Sequence, residues 1–529
     1  MKRIITSISS FESLRESGAL YVDKTAYLYD LVSDAPGMYF CSRPRRFGKT
    51  LTISTLESLF RGKRELFKDL AIDSLDYDWK SYPVLHIDFG KCQAKNSDEI
   101  ERWINFTLNR IASEYGLAID ENEKYYQNMT TLIEELAKTS KVVIMVDEYD
   151  KILSSNIYNS CVEAMRDVIR GFFEVIKASY GSIRFVFITG VTKYAKVSVF
   201  SSMNNLNDIS MDERYSCLFG YTQKELETNF AEYIALGCSK AGMEKTAYLE
   251  KLKNQYDGYR FAVGGETVYN PVSIGMFFSR GGTSFDNYWV DTGNMKLLMD
   301  LSRKVKFDID SSLEEPLDIT DLTSFDIIGM AKSNVGIPQL KSLLLQSGYL
   351  TITGSEDGYS LMTDFPNAEV RSSFASRLMN IYTGVDSDVS YSPERILIAF
   401  TNGNTERAIA IIKSIFASVP YNLEATRAEA DYHAMFHCMM KAIGADLNSE
   451  VASNKGRIDA VLKTPNHIYV IEFKKDKSSQ VALDQIKEME YQEQYRAWKN
   501  EMPQKRIHLL GVNFSTEKRN IDDWVEEMV

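Results

Sequence analysis

The chain has 529 residues, enough for two to four domains, and its 44% hydrophobic and 25% charged residues are typical of folded globular proteins. There is no apolar run long enough to cross a bilayer, no secretion signal and no C-x-x-C pair among the six cysteines, so we expect a cytoplasmic protein with free thiols and no membrane partner. The net charge of −12 neither favours nor excludes a nucleic-acid substrate, because carboxylates that hold metal ions add to the acidic count.

The first part of the chain, from about residue 20 to 215, alternates short apolar strands with amphipathic helices. The segments MYFCS, VLHIDF, VVIMVD and RFVFITG have strand composition, and helical stretches such as LTISTLESLF lie between them. Strands that alternate with helices indicate a parallel sheet that is covered on both faces. We therefore predict an α/β fold for this region.

A loop rich in arginine follows the first predicted strand and precedes a helix. Gly48, Lys49 and Thr50 match the last three positions of the phosphate-binding motif G-x-x-x-x-G-K-[ST], although Arg43 stands where the motif has its first glycine. Lys49 would pair with the β- and γ-phosphates of a nucleotide, and the Thr50 hydroxyl would hold Mg²⁺. The alternative is a chance G-K-T before a helix. The predicted nucleotide-binding residues of this loop are Arg45, Arg46, Phe47, Gly48, Lys49, Thr50 and Leu51.

Two adjacent carboxylates end the later strand VVIMVD. The carboxyl ends of parallel strands face the ligand crevice, so Asp147 would hold Mg²⁺ and Glu148 would act as the base that orients the attacking water. Thr189 and Thr192, at the end of the next strand, are candidates to sense the γ-phosphate, or else strand-end caps. Arg214 is a candidate arginine finger, although it fits a surface arginine better.

Several motifs in residues 1–275 carry a family resemblance. The segments YVDKT, SRPRRFGKT, VDEYDK, LFGYT, YDGYRF and YNPVS, in this order, resemble the bacterial AAA-ATPase-like family of predicted ATPases. An arginine-rich loop without its first glycine is a trait of that family, so Arg43 does not count against nucleotide binding. The resemblance implies a P-loop ATPase that binds ATP with Mg²⁺.

The middle of the chain changes pattern. Residues 221–300 read as mainly helical, and within residues 310–380 the helical IPQLKSLLLQSG precedes two short strands, YLTIT and GYSLMT. A helix followed by such a hairpin is typical of a winged helix, a fold that often binds DNA. A packing module between domains is the alternative, because Lys341 is the single basic residue of that helix.

Two strand-like segments near the C-terminus, RIDAVL and IYVIEFK, flank the turn TPNH and read as a hairpin. Asp459 lies on the first strand, and Glu472 and Lys474 lie two residues apart on the second, hence on one face. Two carboxylates suit a Mg²⁺ ion that polarises a phosphodiester, and Lys474 would stabilise the developing charge. Exposed charges on an edge strand are the alternative. We predict Asp459, Glu472, Lys474 and Gln485 as catalytic, Asp459, Glu472 and Glu429 as metal ligands, and Glu450 as a further candidate ligand.

The order of these residues carries a second resemblance. A helix with Glu429, then Asp459, then E-x-K, then a helix with Gln485 resemble the PD-(D/E)xK nuclease superfamily. The segments GRIDAV, YVIEFK and MEYQEQY are similar to the nuclease domain that is commonly fused to the AAA-ATPase-like family. Ile458 stands where the superfamily has proline, a frequent change in the group. The resemblance covers residues 390–529 and implies a metal-dependent nuclease that uses Mg²⁺, with Mn²⁺ as an alternative ion.

The predicted architecture is α/β with four parts: a P-loop AAA-ATPase-like domain with a parallel sheet (1–220), its helical extension (221–305), a winged-helix-like module (306–385) and a PD-(D/E)xK nuclease-like domain (386–529). The leading hypothesis is a nuclease whose cleavage of nucleic acid, with DNA favoured, is regulated by its ATP state. The second is a signalling switch whose C-terminal domain binds nucleic acid or protein without cutting, and the third is a small-molecule phosphotransferase. An arginine supplied in trans would require a homo-oligomer.

Overall fold

The computed structural model describes residues 1–33, 37–120, 122–193, 199–200, 203–289, 315–323, 336–355, 357–383, 394–417, 445–452, 456–496 and 505–529, together with a few single positions between these ranges. The chain divides into two compact units. The N-terminal unit comprises residues 1–301 and 315–369, and the C-terminal unit comprises residues 302–314 and 370–529. Each unit contains a five-stranded sheet.

The sheet of the N-terminal unit is entirely parallel. Its strands are Gly37–Ser42 (β1), Val84–Asp88 (β2), Val142–Asp147 (β3), Ile183–Gly190 (β4) and Asn207–Asp208 (β5). They lie in the order β2-β3-β4-β1-β5. Every residue of β1 and β3 is buried, as expected for a parallel sheet that is covered on both faces. The predicted parallel α/β fold is confirmed, and the carboxyl ends of all five strands lie at one edge.

Amphipathic helices pack around this sheet. In the helix Val162–Ala178, for example, Met165, Ile169, Phe172 and Ile176 recur at helical spacing and are fully buried. None of the helices in the described part of the chain has the length and apolar character needed to span a bilayer. The described helices of this unit are Phe11–Glu16 (α1), Thr25–Ser33 (α2), Lys49–Phe60 (α3), Ser97–Glu114 (α4), Tyr125–Ala137 (α5), Lys151–Ser155 (α6), Val162–Ala178 (α7), Gln223–Asn229 (α8), Ala231–Ala241 (α9), Lys245–Tyr256 (α10), Pro271–Ser279 (α11), Ile319–Thr323 (α12) and Ile337–Ser347 (α13), with 3₁₀ turns at Arg64–Phe67, Ala71–Ser74, Phe89–Lys91, Tyr180–Ser182 and Glu213–Tyr215.

The helix α13 lies between the first and second strands of a small three-stranded sheet. Its strands are Leu317–Asp318 (β6), Thr351–Ser355 (β7) and Ser360–Asp364 (β8), in the antiparallel order β6-β8-β7. The helix-then-hairpin order is the one that the sequence pattern predicted. Lys341, however, is 1% exposed, and its ammonium donates to the backbone carbonyl of Glu315. The single basic residue of the helix is therefore not available to bind nucleic acid, which favours the packing role.

The sheet of the C-terminal unit is mixed. Its strands are Asp446–Ala452 (β9), Arg457–Lys463 (β10), His467–Lys475 (β11), Arg506–Ser515 (β12) and Asn520–Met528 (β13), in the order β13-β12-β11-β10-β9. Only the β11–β12 pair is parallel, and its crossover contains the helix Ser479–Glu488 (α17). The other described helices are Ala368–Thr383 (α14), Glu394–Thr401 (α15) and Thr405–Ala417 (α16), with a 3₁₀ turn at Glu493–Tyr495.

Alternate residues of β11 enter two separate apolar clusters. Tyr469, Ile471 and Phe473 pack in one cluster, whereas Ile468 and Val470 pack in the other together with the apolar face of α17. This two-residue period means that both faces of the strand are covered. Glu472 follows the same alternation and therefore points to the face on which α17 lies.

The helix α14 starts in the N-terminal unit and crosses the division between residues 369 and 370. Its second residue, Glu369, is fully buried. The carboxylate accepts hydrogen bonds from the backbone N–H groups of Tyr288 and Trp289, the latter at 2.6 Å, and from the Ser273 hydroxyl at 2.8 Å. Burial is the largest influence on this group and raises its pKa to about 7.

This pKa predicts how the stability of the protein changes with pH. The folded state holds the Glu369 proton more tightly than the unfolded chain does, so the favourable contribution is full below the unfolded pKa and is lost as the pH rises to about 7. Glu369→Gln mimics the protonated form and should gain stability relative to the wild type from pH 5 to 8, by up to about 3 kcal/mol. Denaturant unfolding at each pH measures the difference, and a difference that stays constant with pH would contradict the prediction.

Candidate functional site

The predicted phosphate-binding loop joins the end of β1 to the start of α3. Gly48 adopts φ +90°, a left-handed conformation that favours glycine, and the helix begins at Lys49. The Lys49 side chain is 6% exposed, and its Nζ donates to the backbone carbonyls of Arg43 and Pro44, at 2.9 Å each. Burial lowers the pKa of this ammonium group, and the nearby carboxylates of Asp147 and Glu148 oppose that effect. The loop therefore curls around a buried cation at a helix N-terminus.

Arg43, which replaces the first glycine of the motif, points away from the loop's open side. It is 1% exposed, its guanidinium donates to the backbone carbonyls of Ser42, Ser210 and Tyr215, and it lies 4.2 Å from the ring centroid of Phe261. These contacts join the loop to two other segments of the unit. The arginine therefore has a structural role in place of the conformational freedom that a glycine would supply.

Phe47 anchors the other end of the loop. Its side chain is 2% exposed and packs edge-on against Tyr259 and Phe261, at centroid distances of 4.8 and 5.2 Å. Both partners belong to the segment YDGYRF. The side chain is thus committed to packing, and the predicted contribution of Phe47 to nucleotide binding would come from its backbone.

A cavity of about 440 Å³ opens in front of the loop. This volume lies in the range of pockets that take nucleotides and similar ligands. Gly275 lets the N-terminal segment approach, because a Cβ at this position would clash with the Thr6 side chain. Both charged and apolar residues line the cavity: Arg45, Arg46, Gly48, Lys49, Thr50, Leu51, Glu148 and Lys151 come from the loop, the start of α3 and the end of β3, and Ile4, Ile5, Thr6, Ile8, Ser9, Leu20, Tyr221, Phe230, Pro271, Val272 and Gly275 form a largely apolar wall. The lining thus offers polar groups that suit phosphates and apolar groups that suit a base.

Asp147 lies at the end of β3, and its two carboxylate oxygens have different surroundings. Its Oδ1 accepts from the Thr189 hydroxyl at 2.5 Å and from the Glu148 backbone N–H at 3.0 Å. Its Oδ2 is buried and has no hydrogen-bond partner among the described residues. A buried carboxylate oxygen without a partner is costly, and a bound cation would remove that cost. The residue therefore fits the predicted Mg²⁺ ligand.

Glu148 faces the cavity in a strained conformation. Its φ of +49° is uncommon for a residue other than glycine. Its carboxylate lies so close to Gly90 that a Cβ there would clash with it. Burial raises the pKa of Glu148, and the positive charge of Lys49 opposes this effect. A carboxylate held beside the loop with a raised pKa suits a base that orients water.

The remaining candidates of this unit have other partners. Thr189 is fully buried and its hydroxyl orients Asp147, while the Thr192 hydroxyl donates to Asp150 at 2.7 Å. Arg214 is exposed and forms an ion pair with Asp212 at 2.6 Å, as a surface arginine does. Neither threonine was predicted as a support for a carboxylate, because the hydrogen bond joins residues 42 positions apart in each case.

The second constellation is assembled by β10, β11 and α17. Glu472 is 2% exposed, and its Oε1 accepts from Lys474 Nζ at 2.9 Å and from Gln485 Nε2 at 2.5 Å. Asp459 lies on the neighbouring strand and accepts from the Phe473 backbone N–H at 2.8 Å. Burial, with the charge of Asp459 as the next influence, raises the pKa of Glu472 to about 7. The structure thus brings Asp459, Glu472, Lys474 and Gln485 together.

Glu472 repeats the arrangement found at Asp147. Its Oε2 is buried and, in the part of the chain that the structure describes, has no hydrogen-bond partner. In the described part of the chain no three acidic, histidine or cysteine side chains converge, so an ion at either position would complete its shell with water and phosphate oxygens, as Mg²⁺ commonly does. Glu429 lies outside the described residues, and Glu450 lies on β9, so their predicted roles as ligands stay predictions.

Asp88 and Glu369 were not singled out from the sequence. Asp88 ends β2 opposite Asp147 in the sheet register, and its position at the end of VLHIDF is a signal of the same kind as that of Asp147. Glu369 gave no local signal, because its partners lie 80 to 96 residues away.

Comparisons with known proteins agree with this arrangement. The family model "Predicted AAA-ATPase" matches residues 5–200, and the model "PD-(D/E)XK nuclease superfamily" matches residues 427–524, which confirms both resemblances and their order. A protein of Azotobacter chroococcum mcd 1, described as an uncharacterized protein in the vnfD 5' region, is 32% identical over 544 residues, covering 99% of each chain. The Aeropyrum pernix ORC2 protein (ADPNP-ADP complexes) has a TM-score of 0.18 and 12% identity over 67% of this chain and 88% of that chain. A likeness that low supports no conclusion.

The buried Arg43 predicts that restoring the motif's glycine is harmful. Arg43→Gly would leave the carbonyls of Ser42, Ser210 and Tyr215 without their donor and should destabilise the protein by about 3 kcal/mol. The matched control is Arg46→Gly in the same loop, where the side chain is exposed and φ is +68°, so its stability should change by less than about 1 kcal/mol. Denaturant unfolding compares the two variants, and equal losses would contradict a structural role for Arg43.

Proposed function

Since the chain belongs to the family of the Azotobacter chroococcum protein and joins an AAA-ATPase-like domain to a PD-(D/E)XK nuclease-superfamily domain, we propose that it hydrolyses ATP and that its ATP state regulates metal-dependent cleavage of nucleic acid, with DNA as the substrate. One observation supports both activities. Each unit buries a carboxylate oxygen that has no hydrogen-bond partner among the described residues, Asp147 Oδ2 in one and Glu472 Oε2 in the other; the first lies near the buried Lys49 and the second near the partly buried Lys474.

The ATPase proposal assigns a role to each group around the cavity. Lys49 would exchange the carbonyls of Arg43 and Pro44 for the phosphates of the nucleotide. Asp147, kept in place by Thr189, would hold Mg²⁺ together with the Thr50 hydroxyl. Bound Mg²⁺ would offset the negative charge of the phosphate oxygens. The apolar wall of the cavity would receive the base.

The hydrolytic step depends on Glu148. Its carboxylate lies within the electrostatic reach of Lys49 and lines the cavity beside it. From that position it would orient a water molecule towards the γ-phosphate and accept its proton. Arg45 and Arg46 also line the cavity and would add positive charge around the phosphates.

The nuclease proposal rests on the side-chain contacts in the C-terminal unit. Asp459 and Glu472 would hold the Mg²⁺ or Mn²⁺ ion, which polarises the scissile phosphate. Lys474 would stabilise the charge that develops on the phosphate, and Gln485 fixes the orientation of the Glu472 carboxylate. In the ligand-free protein the lysine ammonium compensates the buried charge of Glu472.

The finer parts of the architecture belong to the same proposal. Boundaries at residues 220, 305 and 385 would separate the ATPase core, its helical extension, the winged-helix-like module and the nuclease domain. An arginine supplied in trans would make ATP turnover depend on a homo-oligomer. The alternative is a switch that binds nucleic acid or protein without cutting.

The assigned base predicts a separation of ATP binding from hydrolysis. Glu148→Gln should lower the ATPase rate by about 10² to 10⁴-fold while ATP still binds, because the amide cannot accept the proton of the attacking water. Lys49→Ala should instead lose binding, since it removes the cation that pairs with the phosphates. Isothermal titration and phosphate release measure the two quantities. Equal hydrolysis by Glu148→Gln and the wild type would rule out this role.

The nuclease site predicts a contrast between neighbouring lysines. Lys474→Met should slow cleavage of linear and circular DNA with Mg²⁺ by about 10² to 10³-fold, because it removes the charge beside Glu472. Asp459→Asn should lose cleavage through weaker metal binding. Lys475→Met is the matched control, since period-two geometry places Lys475 on the opposite face of β11, and it should cleave normally. ATPase activity without cleavage in the wild type, under any metal or ATP condition, would support the switch instead.

A further inference from the structure

The residues that begin helix α14 are held by three different parts of the N-terminal unit. Asn367 donates its side-chain amide to the backbone carbonyl of Asp257 at 2.7 Å. The carbonyl of Pro366 lies against Gly258, whose φ is +103° and where any Cβ would clash with it. Glu369 accepts the hydrogen bonds of Tyr288, Trp289 and Ser273. The start of this helix is thus fixed by contacts to three segments, at residues 257–258, 273 and 288–289.

Two of these segments also hold the phosphate-binding loop. Arg46 Nη1 donates to the backbone carbonyl of Tyr288 at 3.3 Å, on the residue whose N–H binds Glu369. Phe47 packs against Tyr259, the residue that follows Gly258. Arg46 and Phe47 therefore each contact a short segment that in turn contacts the start of α14.

The third segment reaches the cavity itself. Ser273 lies on α11, where its neighbours Pro271 and Val272 form part of the apolar cavity wall. The Ser273 hydroxyl points the other way and donates to Glu369. Glu369 is therefore bound by Tyr288, which contacts the cavity-lining Arg46, and by Ser273, which follows the cavity-lining Pro271 and Val272.

We propose that residues 366–369 form a relay by which nucleotide occupancy is transmitted to helix α14, with Glu369 as its positioning residue. The proposal rests on ATP binding at the loop. A phosphate in the cavity would attract the exposed Arg46 guanidinium away from the Tyr288 carbonyl, and the apolar wall would close on the base. Both movements act on segments that Glu369 binds. The helix carries the change along the chain, because it continues to Thr383, past the division at residue 369.

The electrostatics of Glu369 support this role. After burial and its hydrogen bonds, the charge of Arg46 is a further influence, and it lowers the pKa of the carboxyl group. When Arg46 moves towards a phosphate, that stabilising charge is withdrawn, and the neutral form of Glu369 becomes more favourable. The contacts made by its carboxylate with three donors would then weaken together.

Hydrogen–deuterium exchange of the full chain tests the relay without relying on nuclease activity. In the wild type, ATP with Mg²⁺ should change the exchange of amides in residues 368–383 by about fivefold or more. Glu369→Gln should bind ATP with similar affinity and lose this change. The matched control is Glu225→Gln, which removes the charge of another glutamate that binds a backbone N–H and an ammonium group in the same unit. That variant should keep the change in residues 368–383.

The outcomes separate the relay from the proposed function. ATP binding without altered exchange in the wild-type helix, or an unchanged response in Glu369→Gln, would overturn the relay and leave the ATPase proposal intact. Failure of the wild type to bind ATP would overturn both. The expected exchange pattern without DNA cleavage would overturn only the nuclease proposal. If Glu369→Gln does not fold, Ser273→Ala decides, because it removes one donor alone and should reduce the response; a full response would refute the relay.

Discussion

Burial of the Arg43 guanidinium is the constraint on which the conformation of the predicted phosphate-binding loop depends. A buried cation needs hydrogen-bond acceptors to replace the water that it loses, and the backbone carbonyls of Ser42, Ser210 and Tyr215 accept hydrogen bonds from Arg43. These bonds tie the end of β1 to the residues that follow β5, while Phe47 ties the other end of the loop to the segment YDGYRF. With both ends fixed, the loop can hold its own carbonyls around Lys49. These anchors flank the loop residues that line the cavity, Arg45, Arg46 and Gly48 among them.

Both candidate sites bury negative charge and leave part of it unsatisfied. At Asp147 and Glu472 one oxygen accepts two hydrogen bonds from described residues and the other accepts none from them. Such an arrangement destabilises the ligand-free protein, and the nearby lysines offset only part of the cost. A cation would satisfy the free oxygen in each case. The two units therefore share one physical feature, a buried carboxylate that a cation would stabilise.

The features that the sequence predicted correctly are those with local signals. The buried runs of β1 and β3, the glycine before α3 and the spacing of Glu472 and Lys474 all lie within a few residues, so the period of the pattern suffices. Contacts between residues far apart in the sequence could not be predicted from local patterns. Examples are the position of β4 between β1 and β3, the hydrogen bond from Thr189 to Asp147 and the contacts of Glu369. The burial of Lys341 was missed for the same reason, because exposure depends on what packs against the helix.

Backbone strain at the cavity connects these observations. Arg46 and Glu148 both line the cavity and both adopt positive φ, at +68° and +49°, which costs on the order of 1 kcal/mol or more for residues with side chains. Strain of this kind persists only where the surroundings impose it, and the buried Arg43 and Phe47 beside Arg46 do so. A ligand that binds these two side chains therefore acts on backbone that is already held in a strained conformation. A movement of Arg46 would change its hydrogen bond to the Tyr288 carbonyl. Tyr288 in turn donates its backbone N–H to Glu369 at the start of α14, so the movement would reach that carboxylate.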